Sequence, residues 1–496
     1  MSGRTPALML QGTGSHAGKT VLVAGLCRLL ARHGLRVLPF KSQNMSLNAW
    51  VTGDGKEMGW AQAMQAEAAG VPPRAEMNPV LLKPSGDLRS QVVVLGRVRG
   101  TCGAGEYYRL GPTLWPRIAE AYGRLARGAD VMLIEGAGSP AEPNLMRRDL
   151  ANMRVARLAR AKVLIVGDID RGGVFASLVG TMMLLPAEDR RRVAGFVINK
   201  FRGDRSLLTG ALHDLERRTA TPVLGVVPYL HGLGLPEEDS VALDGARARD
   251  PADLVIGIVR LPRIANFTDF APLPSEPGVR IVYAERPGDL AGAQLLILPG
   301  SKDTIADLRV LKARGFDRAV RAHAQRGGTI LGVCGGYQML GRSIADPRGV
   351  ESGGSEAGLG LLPVRTVLRR RKTTRRVRAR WLPDGPELEA YEIHMGETLI
   401  EGAGRPAFEV SARSPVPASL EGWTSPEGRV LGTYLHGLFA PAAARARVCR
   451  WARGSVAVPA RPAEDHRAER QAAYDRLADA LEAAIGLPRL LRLLGI

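Results

Sequence analysis

The sequence predicts an α/β protein with two tandem domains, the first built on a parallel sheet. Three observations carry that reading. Short apolar runs alternate with longer amphipathic stretches, the pattern of strand, crossover helix, strand. The alternation lapses over the polar stretch Asp239–Asp253 and then resumes. Each half also runs one apolar segment into a glycine-rich turn that carries a reactive side chain, Lys19 in the first half and Cys334 in the second. At 496 residues the chain is too long for one ordinary domain.

In the first half the candidate strands are Ala7–Gln11, Leu35–Phe40, Val131–Ile134, Val163–Val166, Gly195–Ile198 and Val223–Val227, with helical patterns such as Thr20–His33 between them. In the second half they are Leu254–Arg260, Arg280–Tyr283, Gln294–Leu298, Thr329–Val333 and Arg429–Tyr434. The expected division is 1–245, a linker near residue 250, 252–445, and a helical extension 446–496 in which Ala463–Ile485 reads as a closing helix. No repeat relates the two halves.

The first strand runs into Gly12-Thr13-Gly14-Ser15-His16-Ala17-Gly18-Lys19-Thr20, and a helix follows. Such a turn points backbone N–H groups at an anion, and the helix dipole adds to the attraction. Lys19 can reach the β- and γ-phosphates of ATP, and the Thr20 hydroxyl can hold Mg²⁺. The usual spacing places the first glycine at position 13, where Thr13 stands; Gly12 comes one residue early. Glu135, at the end of the strand Val131–Ile134, is a second candidate Mg²⁺ ligand, because ligands of open α/β sheets sit at the carboxyl ends of strands. Lys41 ends another strand and could face the phosphates; a lone lysine there would otherwise be solvated. Asn199-Lys200 reads equally as a base-recognition turn or a plain turn. Asp168 and Asp170 also follow a strand, and Arg171-Gly172-Gly173 could bind an anion.

In the second half, Thr329–Val333 leads to Cys334-Gly335-Gly336 and a helical stretch. Glycines around the cysteine permit the sharp strand-to-helix turn that lifts a nucleophile out of a sheet, and the helix N-terminus favours a thiolate. His436, in Tyr434-Leu435-His436-Gly437, lies just past a strand end and supplies a base. Pro299-Gly300-Ser301 offers backbone N–H groups to an oxyanion. Among the other histidines only His394, in Tyr391-Glu392-Ile393-His394-Met395-Gly396, has a comparable setting.

Composition narrows the class. Apolar residues make up 45% and charged residues 24%, the balance of a globular protein. The 68 basic and 49 acidic residues give a net charge of +19, which suggests an anionic partner. No apolar run approaches the ~18 residues of a membrane helix, and Ala7–Leu10 is too short for the core of a signal peptide. Cys27, Cys102, Cys334 and Cys449 form no CxxC pair, so neither a zinc site nor a disulfide framework is expected. The reading is a reduced, cytoplasmic enzyme with no membrane partner.

The order of phosphate loop, cysteine elbow and Tyr-Leu-His-Gly resembles the cobyric and cobyrinic acid amidotransferases. In that family an ATP domain similar to dethiobiotin synthetase is fused to a glutamine amidotransferase domain similar to the class I type. Further segments carry the resemblance: Lys41-Ser42-Gln43-Asn44-Met45-Ser46-Leu47-Asn48, Asn78-Pro79-Val80-Leu81-Leu82-Lys83-Pro84, Asp168-Ile169-Asp170-Arg171-Gly172-Gly173 and Tyr391–Gly396. It implies ATP with Mg²⁺, glutamine as nitrogen source and a corrinoid substrate, adenosylcobyrinic acid a,c-diamide, amidated at four peripheral carboxylates. It implies Cys334 as glutaminase nucleophile and His436 as its base. A class I triad carries Glu two residues after the histidine; here Leu438 stands there, as elsewhere in this family. A backbone carbonyl or a distant side chain is therefore expected to orient the imidazole.

Three other readings stand beside this one. The closest is amidation of cobyrinic acid itself to the a,c-diamide by the same two domains. A more distant one is amidation of a cell-wall precursor. The third is a partition-type ATPase that binds nucleic acid through the basic run Arg369–Arg380. That run has no interleaved aromatic residue and reads better as a solvated strand or hairpin, so no nucleic-acid partner is assigned.

Overall fold

The computed structural model describes residues 4–86, 88–235, 253–412, 418–454 and 466–496. The first domain is centred on six parallel strands. Their spatial order is Val223–Pro228, Val193–Phe201, Lys162–Asp168, Ala7–Gly12, Val131–Glu135, Val37–Phe40. Each corresponds to a strand expected from the sequence. These runs are continuously apolar because helices cover both sheet faces. Ala7–Gly12 lies at the centre, with Leu10 opposite Glu135 and Gly12 opposite Val166. That register brings the loop after Gly12 and the end of Val131–Glu135 to the same sheet edge.

A mixed sheet that the sequence did not announce, its first pair parallel and the rest antiparallel, stands beside this core. It runs Gln43–Met45, Val80–Gly86, Arg89–Val94, Arg97–Gly103. The last two strands meet at Leu95-Gly96, where φ is 48° and 79°. Two successive positive φ values are the signature of a tight hairpin. The alternation is weak here because Arg97–Gly103 is largely exposed, with Cys102 its partly buried contact to the core.

The second domain carries five parallel strands in the order Val279–Ala284, Leu254–Val259, Leu295–Leu298, Thr329–Val333, Val430–Thr433, again those expected. Its sheet continues through antiparallel strands that include Val364–Trp381 and Glu387–Ile400. The basic run lies on the first of these. Arg369, Arg375, Arg376 and Arg380 pair with Glu397, Glu392, Glu389 and Glu409 on neighbouring strands. The run is thus a charge-paired hairpin strand.

The proposed linker Asp239–Asp253 falls, apart from Asp253, outside the described residues, as do positions 463–465 of the expected closing helix. The stretch 446–496 does not pack as one unit. Helix Ala442–Arg453 buries Val448 and Cys449 in the second domain's core, and Arg445 pairs there with Glu276 at 2.8 Å. Helix His466–Ile485 instead lies along Lys19–Arg32 of the first domain. Arg28 and Arg32 pair with Asp475 and Asp479, and Leu477 and Leu481 join the first domain's core. The reason is apolar demand: Lys19–Arg32 carries a further apolar stripe, and at Gly25 it meets Leu477 and Leu481 of this helix.

Candidate active sites

The phosphate loop closes on itself. Thr13 N donates to Val166 O at 2.9 Å, and Lys19 Nζ donates to Gly14 O at 2.9 Å. A Cβ on Gly12 would lie 2.8 Å from Gly14 O and 2.9 Å from Lys19 Nζ. The early glycine is therefore required by close approach, and this accounts for the variant spacing. Asn199 Nδ2 donates to Ala17 O and Lys200 Nζ to His16 O, each at 2.9 Å. The pair braces the loop while both also line its cavity. Asp168 holds Lys200 at 2.9 Å, and Asp170 holds Arg202 at 2.8 Å, so both acids serve ion pairs behind the loop.

Glu135 is fully buried at the loop's floor. Its Oε1 accepts from Thr20 Oγ1 at 2.8 Å and from Lys41 Nζ at 2.9 Å; its Oε2 accepts from Gln65 Nε2 at 2.6 Å. Burial opposes the charge, but Lys41 and these hydrogen bonds outweigh it and hold the carboxyl below its usual range. Lys19, Thr20, Lys41, Glu135 and Asn199 all line one cavity of about 440 Å³. Thr20 and Glu135 bring two hard oxygens together, a donor set that fits Mg²⁺. Among the described residues no cluster of three or more His, Cys, Asp or Glu could hold a metal alone.

At the second site Cys334 sits at φ 53° and ψ −108°, a strained conformation for any residue with a side chain. Gly336 makes the elbow possible, since a Cβ there would lie 1.9 Å from Leu298 O. Gly300–Ser301 lies alongside, paired with Ile264–Ala265. His436 Nδ1 bonds Asp269 Oδ2 at 2.6 Å, and Gly437 N donates to Asp269 Oδ1 at 3.3 Å. Nε2 is left without a hydrogen bond of ordinary geometry, and the Cys334 sulfur acts on the ring. Burial lowers the imidazole's affinity for its proton; Asp269 and Cys334 more than reverse this and raise its pKa to about 10. The Tyr391 ring stacks on the imidazole, centroids 5.2 Å apart and planes 19° from parallel. His394 has partners of its own: its Nδ1 meets Gly396 O at 2.8 Å and its ring stacks on Tyr434.

Asp269 stands in the place left open by Leu438, as a distant side chain 167 residues before the histidine. Sequence reasoning did not single it out, nor Asn266 beside it, and it gave Tyr391 no role of its own within the segment Tyr391–Gly396. The available signal was a lone acid in the apolar stretch Phe267-Thr268-Asp269-Phe270, soon after a core strand.

Residues 8–240 match the family model of the CobQ/CobB/MinD/ParA nucleotide binding domain. Residues 255–444 match that of the CobB/CobQ-like glutamine amidotransferase domain. The chain is 53% identical to the cobyric acid synthase of Desulforudis audaxviator (strain MP104C), over 99% of each protein. It is 50% identical to that of Sorangium cellulosum (strain So ce56), over 99% of this chain and 98% of the relative. For that of Moorella thermoacetica (strain ATCC 39073 / JCM 9320) the figures are 49%, 99% and 97%. The chain belongs to the cobyric acid synthase family. The first family model also embraces MinD and ParA, so the nucleotide domain alone leaves the partition reading open. Membership of the cobyric acid synthase family over the full length, with an amidotransferase domain, decides against it.

Proposed function

We propose that this enzyme converts adenosylcobyrinic acid a,c-diamide to cobyric acid by amidating the b, d, e and g carboxylates, using glutamine and ATP. The observation that carries this reading is the pairing in one chain of a phosphate loop floored by Thr20, Lys41 and Glu135 with a Cys334–His436–Asp269 constellation.

Cys334 Sγ attacks the glutamine side-chain amide and forms a thioester. His436, charged through its bond to Asp269, gives its proton to the departing ammonia and then activates water to release glutamate. Backbone N–H groups near Gly300-Ser301 stabilise the oxyanion. In the first domain a substrate carboxylate oxygen takes the γ-phosphoryl group of ATP and releases ADP; ammonia then attacks the acyl phosphate, and inorganic phosphate and a proton leave as the amide forms. Lys19 and Lys41 place positive charge where phosphoryl charge develops. Thr20 and Glu135 would hold Mg²⁺, which supplies further charge neutralisation. Asn199 holds the loop in shape. A second cavity, of about 580 Å³, opens on the other side of Gly14-Ser15 and is lined by Arg89, Tyr107, Tyr108 and Arg148. It suits a large apolar ring with peripheral carboxylates.

The test is to incubate the pure protein with glutamine, ATP, Mg²⁺ and the a,c-diamide and weigh the product. Four added amides are expected. A diamide made from cobyrinic acid, with the a,c-diamide untouched, would overturn the reading. Lys19→Ala should lower both glutamine- and ammonium-driven amidation by about a hundredfold or more, as loss of a preorganised charge contact does. Glutamine hydrolysis should survive in that variant. Unimpaired amidation would show Gly12–Thr20 to be a structural turn.

A further inference from the structure

One residue of the first domain is gripped by both side chains that flank the His436 imidazole. Ala49 N donates to Asn266 Oδ1 at 3.1 Å, and Tyr391 Oη donates to Ala49 O at 3.2 Å. Asn266 Nδ2 lies 3.1 Å from Tyr391 Oη and 3.4 Å from His436 Nδ1. The backbone closes the clasp, with Asn266 N donating to Leu47 O at 3.3 Å. Asn266 immediately precedes the turn Phe267–Phe270 that carries Asp269. Ala49, Asn266, Tyr391 and His436 are all buried.

The segment that ends at Ala49 begins at Lys41, whose ammonium holds Glu135. It is pinned along its length. Lys41 N donates to Met77 O, Ser42 Oγ to Leu150 O, Ser46 N to Leu82 O and Asn48 N to Ser46 Oγ, at 2.6–3.0 Å. Gln43–Met45 pairs with Val80–Leu82. These bonds tie the segment to Met77, Leu82 and Leu150 of the first domain, so a fixed length of backbone joins Lys41 to Ala49. A polyphosphate entering the loop competes with Glu135 for the Lys41 ammonium, so the two ends sense one another.

We propose that Asn266 and Tyr391 are positioning residues, and that the strut Lys41–Ala49 lets occupancy of the phosphate site set the orientation of His436 and hence the rate of glutamine hydrolysis. The proposal rests on the reading of Cys334 and His436 given above. It gives the coupling a physical element that both sites bias, as linkage requires.

The experiment measures glutamine hydrolysis by the full-length protein, alone and with ATP, Mg²⁺ and the a,c-diamide. Wild type should be slow alone and stimulated about tenfold, within the usual range of coupling between sites. Asn266→Gly keeps the left-handed backbone (φ 51°) and removes the amide; Tyr391→Phe keeps the stacked ring and removes the hydroxyl. Both should lose most of the stimulation through kcat, with the KM for glutamine little changed and ammonium-driven amidation intact. A variant that keeps wild-type stimulation overturns the proposal, whatever its basal rate. Equal loss of ammonium-driven amidation also overturns it, because the effect is then general. Cys334→Ala runs in parallel: if it still hydrolyses glutamine, the reading of the glutaminase site has failed rather than the strut.

Discussion

Replacing Cys334 with alanine is expected to abolish glutamine-dependent amidation and to leave amidation from added ammonium at the wild-type rate. The expectation follows from the separation of the two chemistries. On the proposed mechanism the thiol serves only to release ammonia, and Cys334 is not among the residues that line the phosphate cavity. The substitution removes one sulfur from a site whose backbone is fixed by its neighbours: Cys334 N is bonded to Thr433 O at 2.8 Å, and Gly336 abuts Leu298 O. Alanine can follow that backbone as well as cysteine does, so the domain should fold and stay docked. The measurement compares corrinoid amide formation with glutamine and with ammonium chloride as nitrogen source. Loss of the ammonium-driven reaction in a folded variant would mean that Cys334 takes part in both half-reactions, and the division of labour would be wrong.

Much of this arrangement is legible in the sequence because it is local. Gly12–Thr20 announces an anion cradle through sterics within nine residues, and Cys334 announces an elbow through its flanking glycines. Glu135, Lys41 and His436 are found by their places at strand ends. What is not legible depends on how distant segments meet. Asp269 reaches His436 only because the two core strands that launch them, Leu254–Val259 and Val430–Thr433, end on the same edge of one sheet. Asn199 allowed two readings as a turn residue, and its contact with Ala17 O arises because Val193–Phe201 and Ala7–Gly12, parallel with Lys162–Asp168 between them, end on the same sheet edge. The helix His466–Ile485 is plain in the pattern, but its partner is not. That partner, Lys19–Arg32, lies at the other end of the chain, and the join appears only when Gly25 is seen against Leu477 and Leu481. The sheet that includes Arg97–Gly103 is not legible because that strand is largely exposed, Val98 included, and marks no buried face.

Asp269→Asn is expected to lower glutamine hydrolysis by roughly 10³–10⁴-fold, by analogy with removing the orienting carboxylate of a catalytic triad, while ammonium-driven amidation is untouched. An amide of the same shape can fill the space, but its NH₂ or C=O can pair with either tautomer of the ring. The preference for a proton on Nδ1 is then lost, and with it the charge that stabilises the imidazolium. The pH dependence gives the sharper check, and its sign is fixed. Burial alone would depress the His436 pKa below 6.5; Asp269, with Cys334, instead raises it to about 10. A folded-state pKa above the unfolded value adds stability that is complete below about pH 6.5 and is lost as pH rises through about 10. Wild-type His436 therefore stays protonated across neutrality and can deliver a proton to ammonia there. Without Asp269 the imidazolium loses its proton at lower pH, so the variant's deficit should widen as pH rises and narrow toward acid. The deficit is read as the ratio of wild-type to variant kcat/KM for hydrolysis from pH 5.5 to 9. A ratio flat across that range would show that Asp269 only holds the ring in place and contributes nothing to its charge.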